Sequence, residues 1–456
     1  MKPIFTTLTT CLVFCAQAWS AAAQNRSEAK ERPNIVLFCM DDLSAGLIGC
    51  YGGGPAPTPN IDSIAKNGVR FTDGYVTACS CSPSRAGLMS GKYQSRFGHD
   101  SNKDATPGMD LKTTLLPQRL KQAGYTTAII GKWHLGEGKE YLPVSRGFDH
   151  SFGSVANLEQ ERKTKKSTSN YYEADQIITS PGLQSDEYLI SSPLYAKKAC
   201  EFIDQHHSKP FFLYLPFNAA HAPAVSSEHW IEKMTALGVP KELLHKAAQM
   251  GEMDEAIGAV LEKLRSLEIE DKTIIFCIAD NGRADDSGGP DGGDGSLGMR
   301  GGKWQLYEAG IRVPWLMQWK GHIPANQVIT HPVIQLDIAP TVLKQAGVQL
   351  QPEWGLDGVD LLPLVTGKTQ TLERHELYWR VDSDQMAIRR GSWKLVRTAF
   401  KKAPELYDLS KDLGETKNLA TEHPDTVKEL QNHWDTWNQN MKPVTRRPRR
   451  AKAADE

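Results

Sequence analysis

The chain has 456 residues, of which 40% are hydrophobic and 23% charged, and a formal net charge of -1. That length and composition suit a globular protein with a large core, built as one big domain with a smaller companion or as two domains. The near-zero charge offers no basic field for a nucleic-acid partner, and the basic run TRRPRRAK is confined to a tail at 444–456 that reads as solvated and disordered.

The N-terminus, MKPIFTTLTTCLVFCAQAWSAAAQ, has Lys2, an apolar stretch over 4–16 and the small residues Ala21, Ala22 and Ala23. This pattern predicts a secretory signal peptide over 1–23, too short in its apolar part to span a membrane. Export to the periplasm or the medium is the expected localisation, with no membrane span later in the chain. Beyond the signal lie Cys39, Cys50, Cys79, Cys81, Cys200 and Cys277, with no CxxC pair and no His/Cys cluster. For an exported protein of this size that is neither a disulfide scaffold nor a zinc site. Cys79 and Cys81 are too close for an unstrained disulfide, so one of the two is expected to be present for its chemistry.

The predicted elements then follow one another in a repeated unit. NIVLFCM (34–40) is a continuous apolar run, as in a strand buried on both faces, and stops at Asp41 and Asp42. TPNIDSIAKNG has helical spacing with a glycine at its end. A helix before AGY leads to the strand TTAII and then to Lys132 and His134. A helix beginning near residue 193 leads to FFLYLPF and His221, and a longer one leads to TIIFCIA and Asp280-Asn281. Alternating helices and buried strands predict an α/β fold with a mostly parallel central sheet over 32–370. Ligands in such sheets sit beyond the carboxyl ends of the strands, where these polar residues fall. The stretches 155–192 and 284–302 read as irregular. From 371 to 443 the pattern changes to short alternating strands and a closing helix, read as a smaller antiparallel sheet-plus-helix subdomain.

Asp41, Asp42, Asp280 and Asn281 are hard oxygen ligands at two strand ends. Brought together they would repel unless a divalent cation lay between them, and oxygen donors favour Ca²⁺ or Mg²⁺ over zinc.

The segment CSPSRAGLMSGK (81–92) has the form Cys-x-Pro-Ser-Arg followed by Leu-x-x-Gly, with Cys81, Pro83, Ser84, Arg85, Leu88 and Gly91 at the key positions. It resembles the signature of the type I, formylglycine-dependent sulfatases of the alkaline phosphatase superfamily. Ser90 stands where members of that family often have Thr. NIVLFCMDD, GKWHLG, NAAHAP, ADNG, GGKWQLYEAGIRVP and ELYDLSKDLGETKNL resemble sulfatase segments in the same order, so the likeness covers nearly the whole mature chain.

The resemblance implies that Cys81 is oxidised to formylglycine (3-oxoalanine) by a maturation enzyme, while Cys79 stays a plain thiol. One hydroxyl of the hydrated aldehyde would attack sulfur. The other would lose its proton and expel sulfate, which a sulfated serine could not do. It further implies that Asp41, Asp42, Asp280 and Asn281, with the modified Cys81, hold Ca²⁺ or alternatively Mg²⁺. Arg85 and Lys132 would hold the aldehyde hydrate, His134 would be the base, and His221 and Lys303 would bind sulfate and protonate the departing oxygen. The expected substrate is a sulfated saccharide cut from a chain end. Candidate rim residues are His99, Asp100 and Asn102, Tyr171 and Tyr172, and Trp379 and Arg380. The competing readings are a phosphoesterase or phosphonate monoester hydrolase on the same scaffold, and a non-catalytic glycan-binding protein.

Overall fold

The structure is a computed structural model that describes residues 32–157, 170–179, 190–221, 224–284, 297–374, 376–381, 385–398 and 403–444. The expected signal peptide, residues 285–296 of the glycine-rich stretch and the tail from 445 lie outside the described residues.

In chain order the main elements are β1 (Asn34–Met40), α1 (Pro59–Lys66), β2 (Val69–Phe71), β3 (Gly74–Tyr75), α2 (Cys81–Ser90), α3 (Leu116–Gln122), β4 (Thr126–Ile130), β5 (His150–Ser154), β6 (Asn170–Glu173) and β7 (Gln176–Thr179). Next come α4 (Ser191–His206), β8 (Phe211–Pro216), α5 (Glu228–Ala236), α6 (Leu244–Ser266), β9 (Thr273–Ala279), α7 (Glu308–Ile311), β10 (Trp315–Gln318), β11 (Gln327–Ile329), β12 (Val333–Ile334), α8 (Ile338–Gln345) and α9 (Leu362–Val365). The C-terminal part holds β13 (Glu376–Val381), β14 (Gln385–Arg390), β15 (Trp393–Arg397), β16 (Glu405–Asp408) and α10 (Pro424–Gln439).

One large sheet has the order β11-β2-β10-β9-β1-β8-β4-β5-β6-β7. Its centre is parallel: β1 lies between β9 and β8, with Val36 opposite both Ile275 and Leu213, and β4 follows β8. Every residue of β1, β8 and β9 is buried, which is why those segments read as unbroken apolar runs rather than alternating ones. Each such Leu, Ile or Phe contributes about 1.5–3 kcal/mol by leaving water. Helix α1 turns Ile61 and Ile64 inward, and α6 packs against α4 and α5. Because β9, β1, β8 and β4 run in one direction, Asp280, Asp41, His221 and Lys132 all emerge at one edge, as the strand ends predict.

Two parts differ from the sequence reading. The stretch over 155–192 contains the hairpin β6–β7, which extends the large sheet antiparallel to β5. Tyr171 and Tyr172 are buried in that edge, and the Tyr172 hydroxyl donates to Gly131 O at 2.6 Å. They therefore pack the sheet rather than face solvent. The four strands β13 to β16 form the expected antiparallel sheet, covered by α10 through Leu430 and Trp434.

The small sheet is tied to the main body by buried charges. Lys394 on β15 donates to Glu308 Oε1 at 2.8 Å and lies 2.8 Å from Glu415 Oε1, all three with fully buried side chains. Tyr75 donates to the other Glu308 oxygen at 2.7 Å, and Glu415 accepts the Glu308 N–H at 2.7 Å. No described helix is long and apolar enough to cross a membrane.

Candidate active site

The site begins at the ends of β1 and β9. The Asp280 N–H donates to Met40 O at 2.9 Å and the Asp42 N–H to Asp280 Oδ1 at 3.2 Å, which fixes the two acidic pairs side by side. Asp42 has φ +56° and His134 φ +60°, left-handed conformations that non-glycine residues adopt at a cost. Both lie in the turns that leave a strand for the site. The Lys132 N–H donates to Pro216 O at 2.8 Å, so the loop after β4 is tied to the end of β8.

Cys81 opens helix α2 and points its sulfur at the acids, with Sγ 3.4 Å from Asp41 Oδ1 and 3.7 Å from Asp42 Oδ1. Asp41, Asp42, Cys81 and Asp280 each present a ligand atom within 4.8 Å of the others, all buried. Asn281 donates through Nδ2 to Asp42 Oδ1 at 2.7 Å, and its Oδ1 is buried without a hydrogen-bond partner. Three buried carboxylates and an orphaned amide oxygen are a donor set that fits a hard divalent cation.

Three cations surround this set. Arg85 donates through Nε to Asp280 Oδ2 at 2.8 Å and through Nη1 to Lys132 O at 2.9 Å. Lys132 Nζ donates to Asp41 Oδ2, and Lys303 Nζ to Asp42 Oδ2 at 2.7 Å. Burial pushes the Asp41 carboxyl up but is outweighed by Lys132, His221 and Arg85, which hold it well below the usual carboxylate range. Burial and then Asp41 push the Cys81 thiol well above its ordinary value.

The two histidines flank the cluster. His134 is half-buried, with its Nδ1 out of contact with solvent and unpartnered, and burial followed by Lys132 holds its pKa well below the usual value, so it is neutral. His221 Nε2 lies 3.5 Å from Asp42 Oδ2 and 3.1 Å from Asn157 Nδ2. All six residues expected to be catalytic, Cys81, Arg85, Lys132, His134, His221 and Lys303, thus line one buried cluster.

The expected rim residues divide. His99 Nε2 is 2.7 Å from Ser82 Oγ, and Asn102 Oδ1 accepts the Ser82 N–H at 2.9 Å, so both support the residue next to Cys81. Trp379 is fully buried and donates from its indole to Val76 O at 2.7 Å. Arg380 is paired with Asp100 at 2.7 Å and donates to Asn438 Oδ1 at 2.9 Å, with Arg380 and Asp100 both buried. Tyr171, Tyr172, Trp379, Asp100 and Arg380 are held in packing, not brought to the rim.

Two residues beside the cluster were not among the expected site residues, although Trp304 lies within the quoted segment GGKWQLYEAGIRVP. Asn157, three residues beyond the end of β5, touches His221 and has a buried, unpartnered Oδ1. Extending the strand-end rule to β5 would have found it. Trp304 follows Lys303 with φ +73° and is 48% exposed, its ring 5.5 Å from the Lys303 ammonium. None of the six described cysteines lies in a disulfide.

The sulfatase family model matches residues 33–348, and that of the C-terminal part of N-sulphoglucosamine sulphohydrolase matches 301–440. The N-acetylgalactosamine-6-sulfatase of Mus musculus is 34% identical over 389 residues, covering 80% of this chain and 72% of the relative. The N-acetylgalactosamine-6-O-sulfatase of Bacteroides thetaiotaomicron is 27% identical over 490 residues, covering 89% and 93%. Among solved structures, Ps i-CgsB in complex with a neocarrahexaose superposes with a TM-score of 0.79 at 25% identity, over 91% of this chain and 94% of that one. With the strand-end acids, Cys81 and the three cations in one cluster and a family model spanning most of the fold, the chain belongs to the sulfatases, sulfuric ester hydrolases of the alkaline phosphatase superfamily.

Proposed function

We propose that the chain is an exported sulfatase that releases sulfate from a sulfated saccharide, acting at a chain end, with Cys81 converted to formylglycine by a maturation enzyme. The observation that carries this reading is the convergence of Cys81 on buried Asp41, Asp42 and Asp280 inside a ring of Arg85, Lys132 and Lys303. Asp41, Asp42, Asp280 and Asn281 would hold Ca²⁺, or Mg²⁺ in its place. When bound, the ion supplies positive charge against a sulfate oxygen and acidifies a neighbouring hydroxyl. The formylglycine hydrate supplies the nucleophile.

The chain's own groups do the rest. Arg85 fixes Asp280 and the Lys132 backbone, and so the geometry of the cluster. Lys303 and Lys132 present ammonium groups to an anionic substrate in a water-poor site, where charge stabilisation is strongest. Neutral His134, with Nδ1 free of partners, is suited to accept a proton. His221, positioned by Asn157, is suited to give one to the departing oxygen. Trp304 offers an exposed ring beside Lys303, a platform for a sugar face. The names of the relatives, which include N-acetylgalactosamine sulfatases, support a saccharide substrate.

The test compares turnover of a sulfate ester with the phosphate ester of the same phenol, and follows sulfate release from sulfated oligosaccharides. Preferred sulfate turnover supports the proposal. Dominant phosphoesterase activity, or saccharide binding without sulfate release by matured protein, overturns it.

A further inference from the structure

Two adjoining cavities lie away from the catalytic cluster. One, of about 580 Å³, runs between α2, α3 and the turn around Trp354, and the other, of about 680 Å³, continues it past α3 toward Arg32. They share Arg119, Gln122 and Trp354 and so form one groove. The position is remote from Cys81. Helix α2 starts at Cys81 and the groove begins at Lys92, just past its other end, which puts about 15 Å of helix between them. Arg32 and Gln122 precede β1 and β4, whose opposite ends carry Asp41 and Lys132.

The groove is cationic on balance, with Asp110 and Glu353 the acids in its lining. Lys442 lies 3.6 Å from Asp110, and Arg96 is paired with Asp357 at 2.5 Å. Lys92, Lys112 and Arg119 make no ion pair among the described residues, although all three line the groove. Arg119 is only 7% exposed, and its Nε is buried without a hydrogen-bond partner. An arginine in that state is costly unless an anion completes it. Its guanidinium sits 3.9 Å over the Trp354 ring. The Lys92 ammonium approaches the same turn, 3.8 Å from where a Cβ at Gly355 would lie. Burial, then Arg119, lowers the pKa of Lys92, and Asp357, which is already paired with Arg96, offsets this only in part.

We propose that this groove is a second, non-catalytic site for an anionic glycan chain, whose sulfate or carboxylate groups meet Lys92, Lys112 and Arg119 and whose sugar faces meet Trp354. The choice of a glycan over other polyanions rests on the reading of the Cys81 cluster as a sulfated-saccharide site. The groove adds affinity for polymeric substrate without touching the reacting sulfate, so it acts by holding the enzyme on the chain.

The test is affinity electrophoresis of the full chain in gels containing chondroitin sulfate, with poly-glutamate as the polyanion that is not a glycan. Lys92→Ala/Lys112→Ala alters two side chains at the groove surface, and turnover of a small aryl sulfate reports on the catalytic cluster. The expected result is retardation of the wild type by chondroitin sulfate, roughly tenfold weaker in the double variant, with aryl sulfate turnover unchanged. Trp354→Ala is expected to weaken retardation by chondroitin sulfate and leave any retardation by poly-glutamate unchanged. The proposal is overturned by equal retardation of wild type and double variant, by no retardation at all, by an equal effect of poly-glutamate, or by a parallel loss of aryl sulfate turnover. Wild-type protein that shows the groove-dependent retardation but hydrolyses no sulfate ester would overturn the active-site reading and leave the groove standing.

Discussion

The Lys303 ammonium donates to Asp42 Oδ2 at 2.7 Å, and His221 Nε2 lies 3.5 Å from the same oxygen. One carboxylate oxygen therefore gathers both groups proposed to meet the sulfate and its leaving oxygen. Lys303→Ala is expected to lower kcat on a sulfate ester by roughly 10²- to 10³-fold, the usual loss when one charge-stabilising donor is removed. Circular dichroism should show an unchanged fold. A loss below tenfold would place Lys303 outside the reaction.

Removal of the divalent ion should abolish turnover, and added Ca²⁺ should restore it. Because Asp41, Asp42 and Asp280 are buried together, the ion should also stabilise the fold by about 3 kcal/mol at a hundredfold excess over Kd. Asp280→Asn is expected to lose bound metal by elemental analysis of purified protein. Full metal content in that variant would contradict the ligand assignment.

Trp304 separates stability from function. A bulky residue at φ +73° costs about 1–2 kcal/mol relative to its relaxed backbone, and glycine relieves that cost. Trp304→Gly is expected to leave Tm unchanged or raised, while kcat/KM on a sulfated saccharide falls roughly tenfold through lost ring contact. Unimpaired saccharide turnover would rule out the platform.

Asp100 and Arg380 give a sharper answer on the rim. Their pair is buried, so Arg380→Ala leaves an uncompensated carboxylate and should destabilise the fold by about 3–5 kcal/mol. Turnover per folded molecule should be unchanged. A KM effect without a stability loss would return Arg380 to the substrate site.

The joint between the small sheet and the main body should be pH-sensitive. Burial raises the Glu415 carboxyl above the ordinary glutamate range, more than Lys394 lowers it. A carboxyl with a raised folded pKa binds its proton more tightly in the native state, so its contribution to stability is full below about pH 4.5 and is lost as pH rises through the folded value. Burial likewise raises Glu308, but Lys394, Arg312 and Arg389 outweigh it and leave Glu308 ionised, which contributes in the opposite sense at low pH. Glu415→Gln should flatten the fall of Tm between the ordinary glutamate range and neutrality. An unaltered pH profile would remove Glu415 from that account.

Much of the site was legible because its positions obey a simple rule. β1, β8 and β9 read as buried apolar runs and β4 as the short β-branched run TTAII, and the polar residues after them had to meet once the strands were parallel neighbours. Cys81 and Arg85 were legible from a dense local motif. Asn157 was not, because it follows β5 in a stretch that read as irregular. The hairpin β6–β7 was hidden for the same reason, and with it the burial of Tyr171 and Tyr172. Trp379 and Arg380 read as rim residues from their polarity and aromaticity, but their partners Val76 and Asp100 are about 300 residues away in sequence. The Lys394–Glu308 contact spans 86 residues and has no local signature at all.

The central claim is that the reactive group is made from Cys81. Its most direct test is the mass of the peptide spanning Cys81, from protein purified out of its native host. The account predicts a peptide in which an aldehyde oxygen has replaced the sulfur at position 81. An intact thiol there, in protein that is otherwise mature and active, would contradict it.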